Sequence, residues 1–241
     1  MIINLNKIYY YILFCLIITC CTKNKDNYVI YEKKVPEVNQ IDIFDNINIV
    51  LYPDTIYMIK IEAIEDIISK IKIDTMENSL HIENNNKYNW MRYNDSITLH
   101  VFFGNKPLKI HSHGTGKITS FDTLKTSFIR FYAFNGAGEY EVKIISAITS
   151  VVSHSYSTTD FYITGKTNLI SSHAKGMGKM YLQNLEAKKA NIIYDGTNEY
   201  YVNVTEELNV TLKNIGNIFY KGNPKIIKIE RIGKGELIPL E

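Results

Sequence analysis

Gly114-Thr115-Gly116-Lys117-Ile118 is the first copy of a five-residue pattern that occurs six times and decides the fold of this chain. Each copy has two turn residues on either side of a variable one, then a polar residue, then a large apolar or aromatic residue. The spacing is 18 to 22 residues, and the later copies begin at Gly136, Ser157, Gly176, Gly196 and Asn214. A fixed period of this size indicates a repeat architecture, in which one structural unit stacks on the next.

Strand-forming residues fill the segments between these turns. Ile, Val, Thr and Tyr are frequent, and 18 of the 241 residues are Tyr. Because no long helical periodicity intervenes, we predict an all-β fold, namely a right-handed parallel β-helix (β-solenoid) with about six coils of ~20 residues. An antiparallel sandwich is the alternative, although its turn signals would come about every 8–12 residues.

Glycine in such turns serves either a positive φ angle or the close approach of neighbouring backbones. Because the copies share one phase, the turns are predicted to form a column along the solenoid. We assign a structural turn role to nine glycines: Gly114, Gly116, Gly136, Gly138, Gly176, Gly178, Gly196, Gly216 and Gly222.

Residues 28–106, which precede the repeats, are strand-rich but have no twenty-residue period. Residues 41–49 alternate apolar and polar side chains, with Asn46 at a break that is typical of a turn, and residues 64–71 have the spacing of one short helix. Trp90, Met91 and Tyr93 lie beside a polar loop and are candidates for exposure. We predict that this half caps or extends the solenoid, whose repeats and C-terminal cap occupy residues 107–241.

The first 21 residues are predicted to be a lipoprotein-type signal peptide. Their apolar run, residues 8–19, is shorter than the about 20 apolar residues of a transmembrane helix. It ends at Cys20-Cys21, and Cys21 is the predicted lipidation site, with Cys20 as the alternative. Residues 22–27 then form a polar tether. The expected location is the cell envelope, lipid-anchored, at the outer membrane of a Gram-negative bacterium.

Composition excludes several classes of protein. With 27 basic and 25 acidic side chains, the chain offers no electrostatic case for binding nucleic acid. All three cysteines (Cys15, Cys20 and Cys21) precede the tether, so the exported body must be stable without disulfides. The same body has no cysteine nucleophile and no zinc–thiolate site.

The last repeat, Asn214-Ile215-Gly216-Asn217-Ile218-Phe219-Tyr220-Lys221-Gly222-Asn223-Pro224, resembles the signature of the putative auto-transporter adhesin, head GIN domain family of exported Bacteroidota proteins. That signature runs approximately Gly-x-Gly-Asn-Ile-x-Tyr-x-Gly-x-Pro, and Asn214 replaces its first glycine. The segments Ser79-Leu80-His81-Ile82 and 108–116 are also similar to the family, so the resemblance covers roughly residues 28–238. The resemblance implies a β-helical exported domain, and it brings no catalytic residues.

Two histidines are candidates for a metal site. Counting back five residues from the second turn position places His154 and His173 in one column on adjacent coils. Coils stack about 4.8 Å apart, and two imidazoles at that distance could share a transition metal. A ladder of surface histidines is the other interpretation and the one we favour, so we predict no metal and no cofactor.

Carboxylates of the turn column are candidates for an enzyme site. Glu139, Asp160 and Glu199 alternate there with Lys117 and Lys179. Glycosidases need two carboxylates that face one cleft, whereas mixed signs at equivalent turns indicate a solvated edge with pairing between coils. Calcium-binding rolls repeat Gly-Gly-x-Gly-x-Asp, and Lys stands here where Asp is needed. We therefore predict no catalytic residues.

Tyrosines are the last candidates. Nine of them lie in the repeats: Tyr132, Tyr140, Tyr156, Tyr162, Tyr181, Tyr194, Tyr200, Tyr201 and Tyr220. If the strands alternate, Tyr200 faces the core and Tyr201 faces outward, where exposed rings suit a glycan or protein ligand. We predict a non-catalytic cell-envelope lipoprotein with a binding, adhesion or structural role. The alternative is a carbohydrate-active enzyme, a polysaccharide lyase or glycosidase, which would show a deep cleft with converging carboxylates.

Overall fold

The computed structural model of the chain describes residues 28–87 and 97–240. Within these ranges there are seventeen strands and one helix, α1 (Glu65–Ile68). The strands are β1 (Tyr28–Lys34), β2 (Gln40–Asp45), β3 (Ile47–Pro53), β4 (Met58–Ile64), β5 (Ile71–Met76), β6 (Ser79–Asn84), β7 (Ile97–Phe103), β8 (Leu108–Gly114), β9 (Lys117–Ser120), β10 (Leu124–Gly136), β11 (Glu139–Ser157), β12 (Asp160–Ala174), β13 (Met180–Tyr194), β14 (Tyr200–Leu212), β15 (Ile218–Lys221), β16 (Ile226–Arg231) and β17 (Leu237–Pro239).

Some predictions fall on residues outside the described ranges. These are the signal peptide, the tether, the lipidation site at Cys21 or Cys20, and the exposure of Trp90, Met91 and Tyr93. Within the described ranges, no helix combines the length and the apolar character that crossing a bilayer requires.

The predicted β-solenoid is confirmed, with about six turns. Strands β10 to β14 each pair in parallel with the strand one coil further along. Side chains alternate between a buried inner face and a solvated outer face. One inner row runs through successive coils as Tyr140, Phe161, Met180, Tyr200 and Ile218, all at most 1% exposed. The rings of Tyr140 and Phe161 stack with centroids 4.9 Å apart, so the core continues without interruption from coil to coil.

Close approach between coils explains most of the turn glycines. A Cβ placed on Gly178 would lie 1.8 Å from the carbonyl oxygen of Thr159 in the preceding coil, and one on Gly116 would lie 1.7 Å from that of Ile47. Of the nine turn glycines that we predicted, only Gly136 (106°) and Gly222 (87°) have a positive φ. The repeat therefore selects glycine mainly because a side chain would separate the stacked coils.

The turn column is longer than the six copies read from the sequence. Gly114 lies directly over Asp45, so residues 45–47 form an earlier turn of the same column. At the other end, a Cβ on Gly233 would lie 2.2 Å from the carbonyl oxygen of Asn214, and one on Gly235 would lie 2.2 Å from that of Gly216. Residues 233–235 are thus a further glycine turn.

The N-terminal half both extends and caps the solenoid. Strands β2 and β3 pair in parallel with β8 and β9, and Ile41 pairs with Ile110 although almost seventy residues separate them. Antiparallel pairs β1–β4, β4–β7 and β5–β6 surround this first coil. The predicted break at Asn46 and the short helix are both present, and α1 buries Ile67 against the core.

The C-terminal segment differs from the expectation of a separate cap. Strand β16 pairs in parallel with β14, and β17 pairs in parallel with β15. Residues 226–239 therefore add one more coil, because their alternation of apolar and polar residues continues the same inner and outer rows.

Candidate binding faces

Outward side chains form rows that cross the coils, and one of these rows is a tyrosine face made of Tyr162, Tyr181, Tyr201 and Phe219. Consecutive rings stack with centroids 4.8, 5.5 and 5.0 Å apart and planes within 16° of parallel. Each ring covers its neighbour, so mainly ring edges and hydroxyls face solvent. The expected inward Tyr200 and outward Tyr201 are confirmed. The faces of these rings are therefore occupied by contacts within the row.

The inner tyrosines belong to the core. Tyr140, Tyr194 and Tyr200 are at most 1% exposed. Burial raises the pKa of all three hydroxyls, that of Tyr194 to about 12. The Tyr140 hydroxyl donates to the carbonyl oxygens of Tyr132 at 3.1 Å and Ile110 at 3.3 Å. The Tyr140 hydroxyl therefore links neighbouring strands, and the Tyr194 hydroxyl donates to the carbonyl oxygen of Asn198 at 2.5 Å, whereas the Tyr200 hydroxyl has no partner among the described residues. All three hydroxyls stay protonated at neutral pH.

A second outer face carries a groove of about 610 Å³, hereafter the groove. One of its rows is polar and crosses five coils, and the next row mixes apolar and polar side chains. The polar row is Ser150, Ser171, Asn191, Asn209 and Lys228, with Arg130 at its start, and the mixed row is Val152, His173, Ile193, Thr211 and Glu230.

Hydrogen bonds connect neighbouring coils inside the groove. The Asn209 amide donates to Asn191 Oδ1 at 2.9 Å, and Arg130 Nε donates to Ser150 Oγ at 3.3 Å. Three shielded polar atoms of the groove lining, Ser172 Oγ, His173 Nε2 and Asn209 Oδ1, have no hydrogen-bond partner among the described residues, and six further such atoms lie elsewhere in the described ranges. The pKa of His173 is lowered by burial and then by nearby Lys175 and Lys213, so its ring is neutral at pH 7. The groove therefore presents neutral polar groups with unused bonding capacity beside three charged side chains, Arg130, Lys228 and Glu230.

The shared column predicted for His154 and His173 is wrong. Register pairs His173 with Val152, two residues before His154. The cause lies at the end of β11, where the turn begins four residues after Ser153, whereas the next turn begins only two residues after its partner Ala174. His154 instead packs against the ring of Phe134, with centroids 4.8 Å apart. Among the described residues, no three His, Cys, Asp or Glu side chains are grouped to hold a metal ion.

Other histidines cluster at the N-terminal end of the solenoid, which the sequence did not indicate. His111 Nδ1 lies 3.1 Å from Asp42 Oδ1, and the ring of His113 stacks on Phe44 with centroids 4.5 Å apart. Burial opposes ionisation of Asp42, but hydrogen bonds from His111 and Gln40 outweigh it and lower its pKa. These contacts join the outward side chains of β2 and β8 in the first coil.

The expected pairing of turn charges between coils is present at Lys117. Lys117 Nζ lies 2.8 Å from Glu139 Oε1, and hydrogen bonds to Glu139 and Glu141 raise the pKa of Lys117 to about 12. Asp160 Oδ1 accepts from the backbone N–H of Lys179 at 2.7 Å. Glu199 accepts from the Tyr201 hydroxyl at 3.0 Å. These carboxylates are engaged in an ion pair or hydrogen bonds, and none of the three lines the groove.

The fold and its faces define a class: a β-solenoid scaffold that displays rows of side chains. Within that class, the chain belongs to the family described as "Putative auto-transporter adhesin, head GIN domain", which matches residues 37–224. No curated protein matches the chain.

Solved structures share the fold at low identity. A putative adhesin from Bacteroides fragilis has a TM-score of 0.79 at 21% identity. A putative adhesin and a putative lipid binding protein, both from Parabacteroides distasonis, have TM-scores of 0.69 and 0.66 at 13% and 16% identity. Each comparison covers 90% of this chain and 98% of the other. At these identities the comparison establishes the solenoid fold alone.

Proposed function

We propose that the chain is a non-catalytic, lipid-anchored protein of the cell envelope that binds an extended glycan along the groove. The observation that carries this proposal is the row of hydrogen-bonding side chains that crosses successive coils in the groove, with His173 Nε2 and Asn209 Oδ1 of the lining left without a partner. Buried polar groups nearly always have a partner, and each one left without costs about 1–3 kcal/mol. A hydroxyl-rich ligand offers both donors and acceptors to such atoms.

The shape of the groove favours an extended ligand. Its polar row has one side chain per coil from Ser150 to Lys228, which at the strand spacing gives a length of about 19 Å. Val152 and Ile193 in the neighbouring row offer apolar contacts to the C–H faces of sugar rings. A short oligosaccharide laid across the strands would meet the same kinds of group at each coil.

The carboxylates of the groove favour binding over the lyase or glycosidase alternative. Hydrolysis of a glycoside normally needs two carboxyl groups on either side of the scissile bond. Among the described residues that line the groove, Glu230 is the one carboxylate, and it accepts from Thr211 Oγ1 at 3.2 Å. The lining thus supplies hydrogen-bonding groups without an acid–base pair.

The proposed location rests on the N-terminal sequence and on the relatives. The apolar run that ends at Cys20-Cys21 supports lipid attachment at Cys21 or Cys20, which anchors a protein without spanning the membrane. The adhesin family and the structural relatives described as adhesins or as a lipid binding protein support a binding role at the cell envelope.

A glycan array with the soluble body, residues 28–241, tests this proposal. We expect binding to a small set of extended, neutral or acidic glycans, and loss of that binding in an Asn209→Ala variant. Asn217→Ala, an amide of the turn column, is the control and should bind normally. Retention of all binding in Asn209→Ala would contradict the groove as the site, and release of new reducing ends or unsaturated sugars would favour the enzyme.

A further inference from the structure

The last coil leaves a strand edge and core positions uncovered. Strand β16 pairs with β14 on one side, and no other strand in the described ranges pairs with its free edge. Ile227 and Ile229 continue the inner rows of Leu208 and Val210, which are at most 4% exposed, yet they are 44% and 41% exposed themselves. An edge of this kind, apolar and unpaired, is a template for pairing with another strand.

We propose that two copies of this chain dock end to end, with β16 of one copy antiparallel to β16 of the other. Closed two-fold contacts are the commonest form of homo-oligomer, and each partner then uses the same surface. Addition of a strand to an exposed edge satisfies the free backbone groups and covers the inner isoleucines together. The occupant follows from the side chains of β16 itself, which are complementary to their own copy.

One register makes β16 self-complementary. With the two-fold axis at Ile229, this residue lies opposite the partner's Ile229, and Lys228 lies opposite the partner's Glu230. Ile227 lies opposite the partner's Arg231, and Ile226 lies opposite the partner's Ile232. Each of the last three pairs occurs twice by symmetry. Opposite charges and apolar pairs directly across an antiparallel ladder stabilise it.

Neighbouring registers are unfavourable. A slip that changes the pairing by one residue puts Lys228 opposite the partner's Ile229, which mixes inner and outer faces. A slip by two residues puts either Lys228 opposite the partner's Lys228 or Glu230 opposite the partner's Glu230. Like charges directly opposite destabilise a ladder, so the charges of β16 favour the register centred on Ile229, whereas the register centred on Lys228 would pair Ile227 with the partner's Ile229 at the cost of one Lys–Lys contact.

Both charged residues are accessible for this pairing. The Lys228 side chain is 71% exposed and lies 3.5 Å from Glu207, which also contacts Lys189. Glu230 is exposed and accepts one hydrogen bond, from Thr211. Because Lys228 and Glu230 also line the end of the groove, the pairing would join the grooves of the two copies into one continuous surface. The interface itself does not depend on the identity of any ligand.

Disulfide trapping of the full-length chain in detergent tests the pairing. Residues directly opposite on antiparallel strands have Cα atoms about 4.5–5.5 Å apart, within the range that a disulfide spans. We therefore expect an Ile229→Cys variant to give a covalent dimer in more than half of the chains on mild oxidation. The matched control is Ile145→Cys, because Ile145 is 47% exposed on a middle coil. The unsubstituted chain shows how much dimer forms through the native Cys15, Cys20 and Cys21.

Charge reversal at Lys228 and Glu230 then shows whether the disulfide dimer forms through the proposed pairing of β16 or through random collision. Added to Ile229→Cys, either Lys228→Glu or Glu230→Lys should lower the dimer yield at least fivefold, and the two together should restore it. Restoration in the double reversal also shows that the single variants did not simply fail to fold. A yield for Ile229→Cys no higher than for Ile145→Cys, or single reversals without effect, would overturn the proposal and leave Lys228 as a charge that protects the edge.

Discussion

The glycine turns and the groove both recur once per coil, but their side chains have opposite roles. At Gly116 and Gly178 any side chain would collide with the backbone of the preceding coil. At Ser171 and Asn191 the side chains face outward, vary from coil to coil and line an open surface. The comparison teaches that the positions which recur most regularly in this molecule serve stacking, whereas the outward positions that vary from coil to coil are available for recognition.

The largest expected effect is at a turn. Gly178→Ala would place its Cβ 1.8 Å from a backbone oxygen, so two coils must separate. We expect a loss of about 5 kcal/mol in the free energy of unfolding, measured with urea. Gly104→Ala is the control, because its Cβ would meet the movable Tyr57 hydroxyl at 2.8 Å, and it should cost less than about 1 kcal/mol. Equal losses would show that the turn column is not special.

The next largest effect is the loss of stability when the buried ring of Phe161 is removed, compared with the loss when its outward neighbour Tyr162 is removed. Phe161 is fully buried and stacked on Tyr140, and Phe161→Ala should cost about 4 kcal/mol. Tyr162 lies on the tyrosine face, and Tyr162→Ala should cost about 1 kcal/mol through the loss of one stacked pair. Thermal or urea unfolding of both variants checks this order, and a reversed order would contradict the assignment of the two rows.

A substitution in the groove should have a smaller effect, and this effect should appear in the free energy of ligand binding but not in that of unfolding. Asn191→Ala should leave the free energy of unfolding within about 0.5 kcal/mol and weaken binding of the array-selected glycan about tenfold. Asn184→Ala, which removes an exposed side-chain amide beside the tyrosine face, is the matched control and should change neither quantity. If both variants weaken binding equally, the ligand does not distinguish the groove from the other face. Calorimetry gives the affinities.

The smallest effect is the dependence of stability on pH. Burial and nearby lysines lower the pKa of His173, so below about pH 6.5 the unfolded chain takes up a proton more readily than the folded one. Stability should therefore fall between pH 7 and pH 5, and His173→Gln should make that fall shallower. Lys117→Ala should not, because the pKa of Lys117 is raised to about 12 and its charge is constant in this range. Urea unfolding at the two pH values decides the matter.

The sequence predicted the scaffold because the scaffold depends on backbone spacing. The phase of the glycine turns, the polar residue after each turn and the alternation of Tyr200 with Tyr201 all follow from stacked strands. The turn at Gly233 was overlooked although Glu236 and Leu237 complete its pattern, and the turn at 45–47 contains no glycine.

The groove was not predictable in the same way. The turn begins four residues after Ser153 but only two after its partner Ala174, so counting residues from the turns placed His154 where Val152 lies. Ser150, Ser171, Asn191 and Asn209 match no motif, and only the parallel register brings them into one row. Short polar side chains on an outer face have no packing requirement that would leave a signal in one sequence.

The most direct measurement is a crystal structure of the soluble body with the glycan that the array selects. We predict that the sugar lies along the polar row, with hydroxyl groups within hydrogen-bond distance of His173 Nε2 and Asn209 Oδ1. A ligand bound on the tyrosine face, with these two atoms still unpartnered, would contradict the assignment of recognition to the groove.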